Sequence, residues 1–168
     1  IHPAEVTSDR IPKQKVADEI KKKFKKLPDN IIIIPPEDPI SSYTIFDNCN
    51  SVLIYASKIG IELCAVGIPV ILVGPGQLKN KKIAYDVNSY KQYQSILTKL
   101  PLKKEKYLDS KKILRARKYA YHAFFRKPTV IKSVDLNEDQ WPNVSIDKNF
   151  HTYLDKNKDH GLDFVCDA

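Results

Sequence analysis

The first regular pattern along the chain is an apolar stripe at helical spacing. Val16, Ile20, Phe24 and Leu27 stand four, four and three residues apart, which predicts a helix over 16–27 with one apolar face. Lys21, Lys22, Lys23, Lys25 and Lys26 fill its other faces, and Pro28 with Asp29 ends it. Residues 30–34 then carry four consecutive isoleucines. A continuous β-branched run without alternation predicts a strand buried on both faces. Pro35, Pro36 and Pro39 break the chain after it. Ser41 or Ser42 can cap a short helix reaching about residue 49. Residues 52–55 predict a second buried strand and Ser57 an N-cap, followed by a helix over 59–66 that Gly67 closes in the left-handed conformation. Residues 69–73 predict a third buried strand, ended by Gly74-Pro75-Gly76. Helices are predicted over 89–99 and about 105–126, and a short strand over 130–134. Residues 135–168 are polar, acidic and weakly patterned, and read as a loosely packed tail.

Alternating strands and helices joined by short loops describe an α/β fold, a parallel sheet covered by helices on both faces. The expected organisation is one α/β domain over 1–128 and an acidic tail over 129–168. The length of 168 residues suits one domain with a core of its own. The chain opens on Ile1-His2-Pro3, the pattern of a strand end, and contains no Met. The expectation is that the strand begins upstream, in a further N-terminal domain.

Charge adds a second layer. The net charge of +8 is uneven: residues 1–100 carry +4, residues 101–128 carry +8 and residues 129–168 carry −4. A basic segment attracts phosphates, anionic lipid or nucleic acid. Lysine outnumbers arginine 24 to 4; since base edges are read mostly by the planar arginine fork, sequence-specific nucleic-acid binding is not expected. The interleaved Arg115, Arg117, Lys118, Tyr119, Tyr121, His122, Phe124, Phe125 and Arg126 suit a membrane interface over 103–127 or nucleic acid. The plainer alternative is a helix that docks its aromatics on the fold. No apolar run is long enough to span a bilayer, and no signal peptide opens the chain. Cys49, Cys64 and Cys166 are odd in number and lack metal-ligand spacing, so no disulfide framework and no metal site is expected. Cys49 and Cys64 read as buried core thiols. No GxSxG elbow, Walker A loop or G-x-G-x-x-G fingerprint is present, and Gly74-Pro75-Gly76 reads as a turn.

Parallel sheets bind ligands at the carboxyl ends of their strands, and the unusual residues of this chain lie in those loops. Ser57 and Lys58 open a helix whose N-terminal N–H groups and partial positive charge suit a phosphate. Glu62, one turn on, can accept from ribose hydroxyls. His2 can donate to a phosphate or act as acid or base, with Glu5 orienting it or taking a proton. The alternative for each is local: a capped helix, an exposed glutamate, a His-Pro turn.

Several segments together resemble the C-terminal half of GT-B glycosyltransferases, nearest to bacterial capsule polysaccharide biosynthesis proteins. They are I-H-P-A-E (1–5), L-P-D-N-I-I-I-I-P-P-E-D-P-I-S-S-Y (27–43), V-L-I-Y-A-S-K-I-G-I-E-L-C-A-V-G-I-P-V-I-L-V-G (52–74) and R-A-R-K-Y-A-Y-H-A-F-F-R (115–126). The resemblance implies a Rossmann-like parallel sheet, half of a GT-B fold, and a cytoplasmic enzyme of surface-polysaccharide synthesis at the inner face of the membrane. It implies a nucleotide-sugar donor, CMP- or UDP-linked, as substrate, with no further cofactor, and a polysaccharide or lipid-linked acceptor. His2 matches the His-Pro motif that holds a cytidine nucleotide, and Glu62 the glutamate that binds the donor ribose. Ser57 and Ser42 fall near the donor phosphate, where Lys58 adds its charge beside Ser57, and Pro36, Glu37 and Tyr55 are the candidates near the base. The catalytic group would come largely from the N-terminal domain, leaving His2 and Glu5 as the candidates here. The second glutamate of retaining enzymes is replaced by Ile54. The Gly-x-Pro-Val motif also occurs in UDP-sugar 2-epimerases, so an epimerase remains an alternative, as does a nucleotide-binding module without catalysis.

Overall fold

A computed structural model of the chain describes residues 1–7, 11–102, 109–136 and 144–166. The chain divides into two compact units, Ile1–Cys49 and Asn50–Ala168. The division follows which segments pack on one another, which a charge profile does not report.

The first unit holds three helices, α1 (Ala4–Thr7), α2 (Val16–Lys23) and α3 (Ser42–Phe46). The acidic residues of α2 lie in its first turn and its lysines in the last, in the sense that opposes the helix dipole. It stops at Phe24, which is extended, one turn short of the predicted end. None of its residues is buried, so its last turn has no packing to hold it. The four isoleucines form no strand: Ile31 and Ile32 are exposed and Ile33 and Ile34 half-buried. This corrects the buried strand expected at 30–34. Apolar β-branched residues are buried only where a sheet receives them, and among the described residues none pairs with this run. Its end is tied by the Ile1 nitrogen, which donates to Ile34 O at 2.8 Å. Ser41, rather than Ser42, caps α3, its hydroxyl accepting from Tyr43 N at 3.3 Å.

The second unit is built on a three-stranded parallel sheet in the order β1-β2-β3, with β1 Val52–Ile54, β2 Val70–Leu72 and β3 Tyr85–Asp86. Val52, Leu53 and Ile54 pair with Val70, Ile71 and Leu72, and Ile71 and Leu72 pair with Tyr85 and Asp86. Helix α4 (Ile59–Val66) connects β1 to β2. It ends where Gly67 adopts φ 88°, and Ile68 N donates to Leu63 O at 2.8 Å, the closing pattern that satisfies the last carbonyls. Alternation on β2 divides the core. Ile71 packs with Val87, Ile96 and Leu102 on one side, where α5 (Tyr90–Leu97) lies. Val70 faces Gly60 of α4, which also sits against Ile54 and Leu78. The central strand is thus covered by helices on its two faces. Helix α6 (Ser110–Tyr121) packs on α4, and continues into a wider turn over His122–Arg126 in which Lys127 N donates to His122 O at 2.8 Å. Residues 105–108 of the helix expected at about 105–126 lie outside the described residues.

Residues 129–136 and 144–166 hold more regular structure than their weak pattern predicts. β4 (Val134–Leu136) pairs antiparallel with β5 (Val144–Ile146), displacing the strand expected at 130–134, and α7 spans His160–Cys166. The organiser is Asp159, 1% exposed. Its Oδ2 accepts from Lys132 N at 2.6 Å and Ser133 N at 3.4 Å, and its Oδ1 from Gly161 N at 2.9 Å and Leu162 N at 3.4 Å. One carboxylate therefore joins the entrance of the hairpin to the start of α7. Burial pushes its pKa up, but the four backbone donors outweigh that and hold it below the ordinary aspartate value. Such a link is invisible to hydrophobic periodicity.

Candidate functional site

Because β1, β2 and β3 are parallel, the loops that follow them emerge at one edge of the sheet. A cleft of about 540 Å³ lies there. Tyr55 enters it from the loop after β1, Val73 to Pro75 from the loop after β2, and Val87 to Ser89 from the loop after β3. Gly74 is required at its position: a Cβ there would stand 2.6 Å from the Tyr55 ring and 2.5 Å from Tyr55 O. The turn therefore brings the Tyr55 ring onto the end of β2.

The opposite wall is the first turn of α5, with Tyr90 and Tyr93 lining the cleft. Ser89 Oγ accepts from Gln92 N at 3.2 Å while Gln92 Oε1 accepts from Asn88 N at 2.8 Å, a reciprocal cap that holds the β3–α5 loop. The partial positive charge of this helix end faces the cleft. Lys79 adds a full charge from the segment between β2 and β3. That segment is pinned by Asp86 Oδ2, which accepts from Asn80 N at 2.7 Å with Asn80 at φ 63°. The other oxygen, Asp86 Oδ1, is buried with no hydrogen-bond partner among the described residues. The cleft thus combines three aromatic rings, one cation, a helix N-terminus and small polar groups. That set suits an anionic ligand with a planar ring.

Of the site residues expected from sequence, Tyr55 lines the cleft. Ser57, Lys58 and Glu62 do not line it; they stand at the start of α4, on the same carboxyl edge of β1. Ser57 Oγ accepts from Ile59 N at 3.4 Å, so its hydroxyl serves the helix entrance, with Lys58 as the residue that immediately precedes the helix. Both are exposed, and Glu62 is half-buried. His2, Glu5 and Ser42 belong to the first unit. There His2 Nδ1 accepts from Ala4 N at 3.0 Å and Glu5 Oε2 from Val16 N at 3.1 Å, so both serve the starts of helices. Ser42 is exposed at the first position of α3.

Sequence reasoning missed Lys79, Asn88, Ser89, Tyr90 and Tyr93, because it missed β3. The signals were there: Ile83, Tyr85 and Val87 alternate, and Ser89 precedes Gln92 at capping-box spacing. Gly74-Pro75-Gly76 is a turn, and also part of the cleft. The thiols are free. Burial pushes the Cys64 thiol up to about 12, while Cys49, expected in the core, is half-buried. Among the described residues no group of histidines, cysteines and carboxylates could hold a metal ion, and no helix is long and apolar enough to cross a membrane.

The class that fold and site define is a mixed α/β protein: a small three-stranded parallel sheet, helices on it, and a cleft at its carboxyl edge. Compared with protein-family models, curated proteins and solved structures, the chain matches none.

Proposed function

We propose that the second unit is a Rossmann-like nucleotide-binding unit and that the chain is the donor-binding part of a nucleotide-sugar-dependent glycosyltransferase of surface-polysaccharide synthesis. The observation that carries this reading is the cleft at the carboxyl ends of three parallel strands, with Tyr55, Tyr90, Tyr93, Lys79 and the start of α5 around it. Its volume suits a nucleotide. A base packs against the tyrosine rings, and a phosphate lies toward Lys79 and the α5 N-terminus. Ser57, Lys58 and Glu62 extend the same edge and serve the phosphate and the ribose, as the sequence resemblance implies. The chemistry asked of these residues is positioning and stabilisation of the departing phosphate, not proton transfer.

A second reading, nucleotide binding without catalysis, is favoured by one specific feature. Among the described residues no carboxylate or imidazole lines the cleft, so the described lining offers no general acid or base at that point.

Titration with CMP, CDP, UDP, ADP and GDP, followed by backbone amide NMR, tests the site. The expected result is a cluster of shifts at Tyr55, Gly74, Lys79 and Ser89, and a loss of roughly tenfold in affinity in Lys79→Ala. Shifts confined to Ser57 and Glu62 would move the site to the start of α4. No response to any of the five overturns nucleotide binding by this chain. Sugar release from a nucleotide-sugar donor, assayed with acceptor, separates the transferase from the binding module.

A further inference from the structure

Residues 110–127 contain seven Lys and Arg and no Asp or Glu. One side of α6 is used for docking. Ala116 is fully buried, Ile113 reaches toward Gly67, Arg117 Nε donates to Ala65 O at 3.0 Å and Tyr119 OH donates to Gln77 O at 2.8 Å. The docked reading of this helix is therefore right for that side. The opposite side is different. Leu114, Lys118, Tyr121 and Phe125 follow one another at spacings of four, three and four, so they form a single stripe along the helix. Leu114, Tyr121 and Phe125 are 55%, 60% and 74% exposed. The Tyr121 and Phe125 rings stack on each other, centroids 5.8 Å apart, which leaves a paired aromatic edge exposed.

Cations surround this edge. Arg117, Lys118, Tyr121, His122 and Arg126 line a groove of about 430 Å³. A neighbouring groove of about 450 Å³ shares His122 and Arg126 and adds Lys81 and Lys127. Among the described residues no carboxylate lines either groove, and the one ion pair, Lys22 with Glu19, lies elsewhere. Cations flanking a stripe that is apolar but for Lys118 give the amphipathic geometry of a helix lying in a bilayer interface, with phosphates at the cations and hydrocarbon at the stripe. A single-stranded nucleic acid would use the aromatic faces for base stacking. Here those faces are turned to each other, and the stripe continues into Leu114, which offers no ring.

We infer that α6 and the turn after it form a docking face for an anionic bilayer, with phosphodiester headgroups in the grooves around Arg126 and with Phe125, Tyr121 and Leu114 entering the acyl boundary. This stands independently of what the cleft at the sheet edge binds, since the two share no lining residue.

The test is flotation of the chain with vesicles of phosphatidylcholine alone and with about 30% phosphatidylglycerol. Binding is expected only to the anionic vesicles, falling more than about tenfold between low and high salt. Arg126→Glu with Lys127→Glu abolishes it, and Phe125→Ala weakens it roughly tenfold without changing the salt dependence. All three positions are exposed, so unchanged thermal unfolding of the variants shows that the loss is not one of folding. Three results overturn the inference. The first is no flotation with anionic vesicles at low salt. The second is full binding by Phe125→Ala together with displacement by inorganic phosphate at constant ionic strength, which marks a site for free phosphate. The third is tight binding of a single-stranded RNA oligonucleotide by a chain that ignores the vesicles.

Discussion

Two runs of aliphatic β-branched residues have opposite fates in this protein. Ile32, in the isoleucine run at 31–34, is 86% exposed, whereas Ile71, in the run at 70–73, is 1% exposed. By composition the first is the stronger strand. The difference is what flanks them. β2 has β1 on one side and β3 on the other, and α4 and α5 over its two faces. Residues 31–34 have no strand beside them among the described residues, and Ile34 is held by one bond from the Ile1 nitrogen. β-propensity describes how well a residue fits a pleated, covered surface, and it creates no cover. The same contrast runs through the helices. α2 has a regular apolar stripe and buries none of its residues, whereas α4 is apolar nearly all round and buries Gly60, Ile61, Leu63 and Cys64.

The largest test of this contrast is truncation at the two isoleucines. Ile71→Ala is expected to lower stability by about 3 kcal/mol, the cost of a cavity in a core that cannot collapse around it, measured by chemical denaturation. If Ile71→Ala and Ile32→Ala cost the same, the contrast is wrong.

Next in size is acid. Asp159 joins the hairpin and α7 through a carboxyl held below its ordinary value of 3.8. A depressed folded value means that the contribution is present above pH 3.8 and is lost as pH falls through the folded value. Residues 132–163 should therefore lose amide protection in acid before β1 and β2 do, and Asp159→Asn should remove that early step. Hydrogen exchange read by residue checks both.

A smaller effect separates the thiols. Cys64 is buried, its thiol pushed up to about 12, and it donates to Ile83 O at 3.4 Å. Cys166 is exposed and Cys49 half-buried. A thiol reagent under native conditions should label Cys166 first, Cys49 more slowly and Cys64 only on unfolding. Early labelling of Cys64 would mean that α4 opens from the sheet.

The smallest expected effect is that of Ile32→Ala, a change within about 0.5 kcal/mol. A loss of 2 kcal/mol or more, a size typical of a core truncation, would show that the isoleucine run is covered in solution.

Legibility followed range. Helix α4 matches its sequence expectation at both ends, because its apolar content and the Gly67 stop act within one segment. The helix expected over 89–99 is found as α5 for the same reason, though its Ser89 cap was not read. β3 was not read despite the alternation of Ile83, Tyr85 and Val87, since it is only two residues long and its place is given by Ile71 and Leu72 on the neighbouring strand. At the candidate site, Tyr55 was legible from the strand–loop–helix order around it. Lys79 and Tyr90 were not, because they reach the cleft only through β3 and the loops on either side of it.

By itself, then, the sequence determined the α/β alternation around residues 52–73, a serine cap at Ser41 or Ser42, the helix stop at Gly67, and the basic character of 110–127. Each depends on neighbours a few residues away. The tertiary structure alone decided which isoleucine run became the core, that Asp159 ties Lys132 and Ser133 to Gly161, that one side of α6 is docked and the other open, and that a cleft forms where three strand ends meet. Burial, carboxylate satisfaction and concavity are properties of residues brought together from distant positions, and no local pattern records which of them will meet.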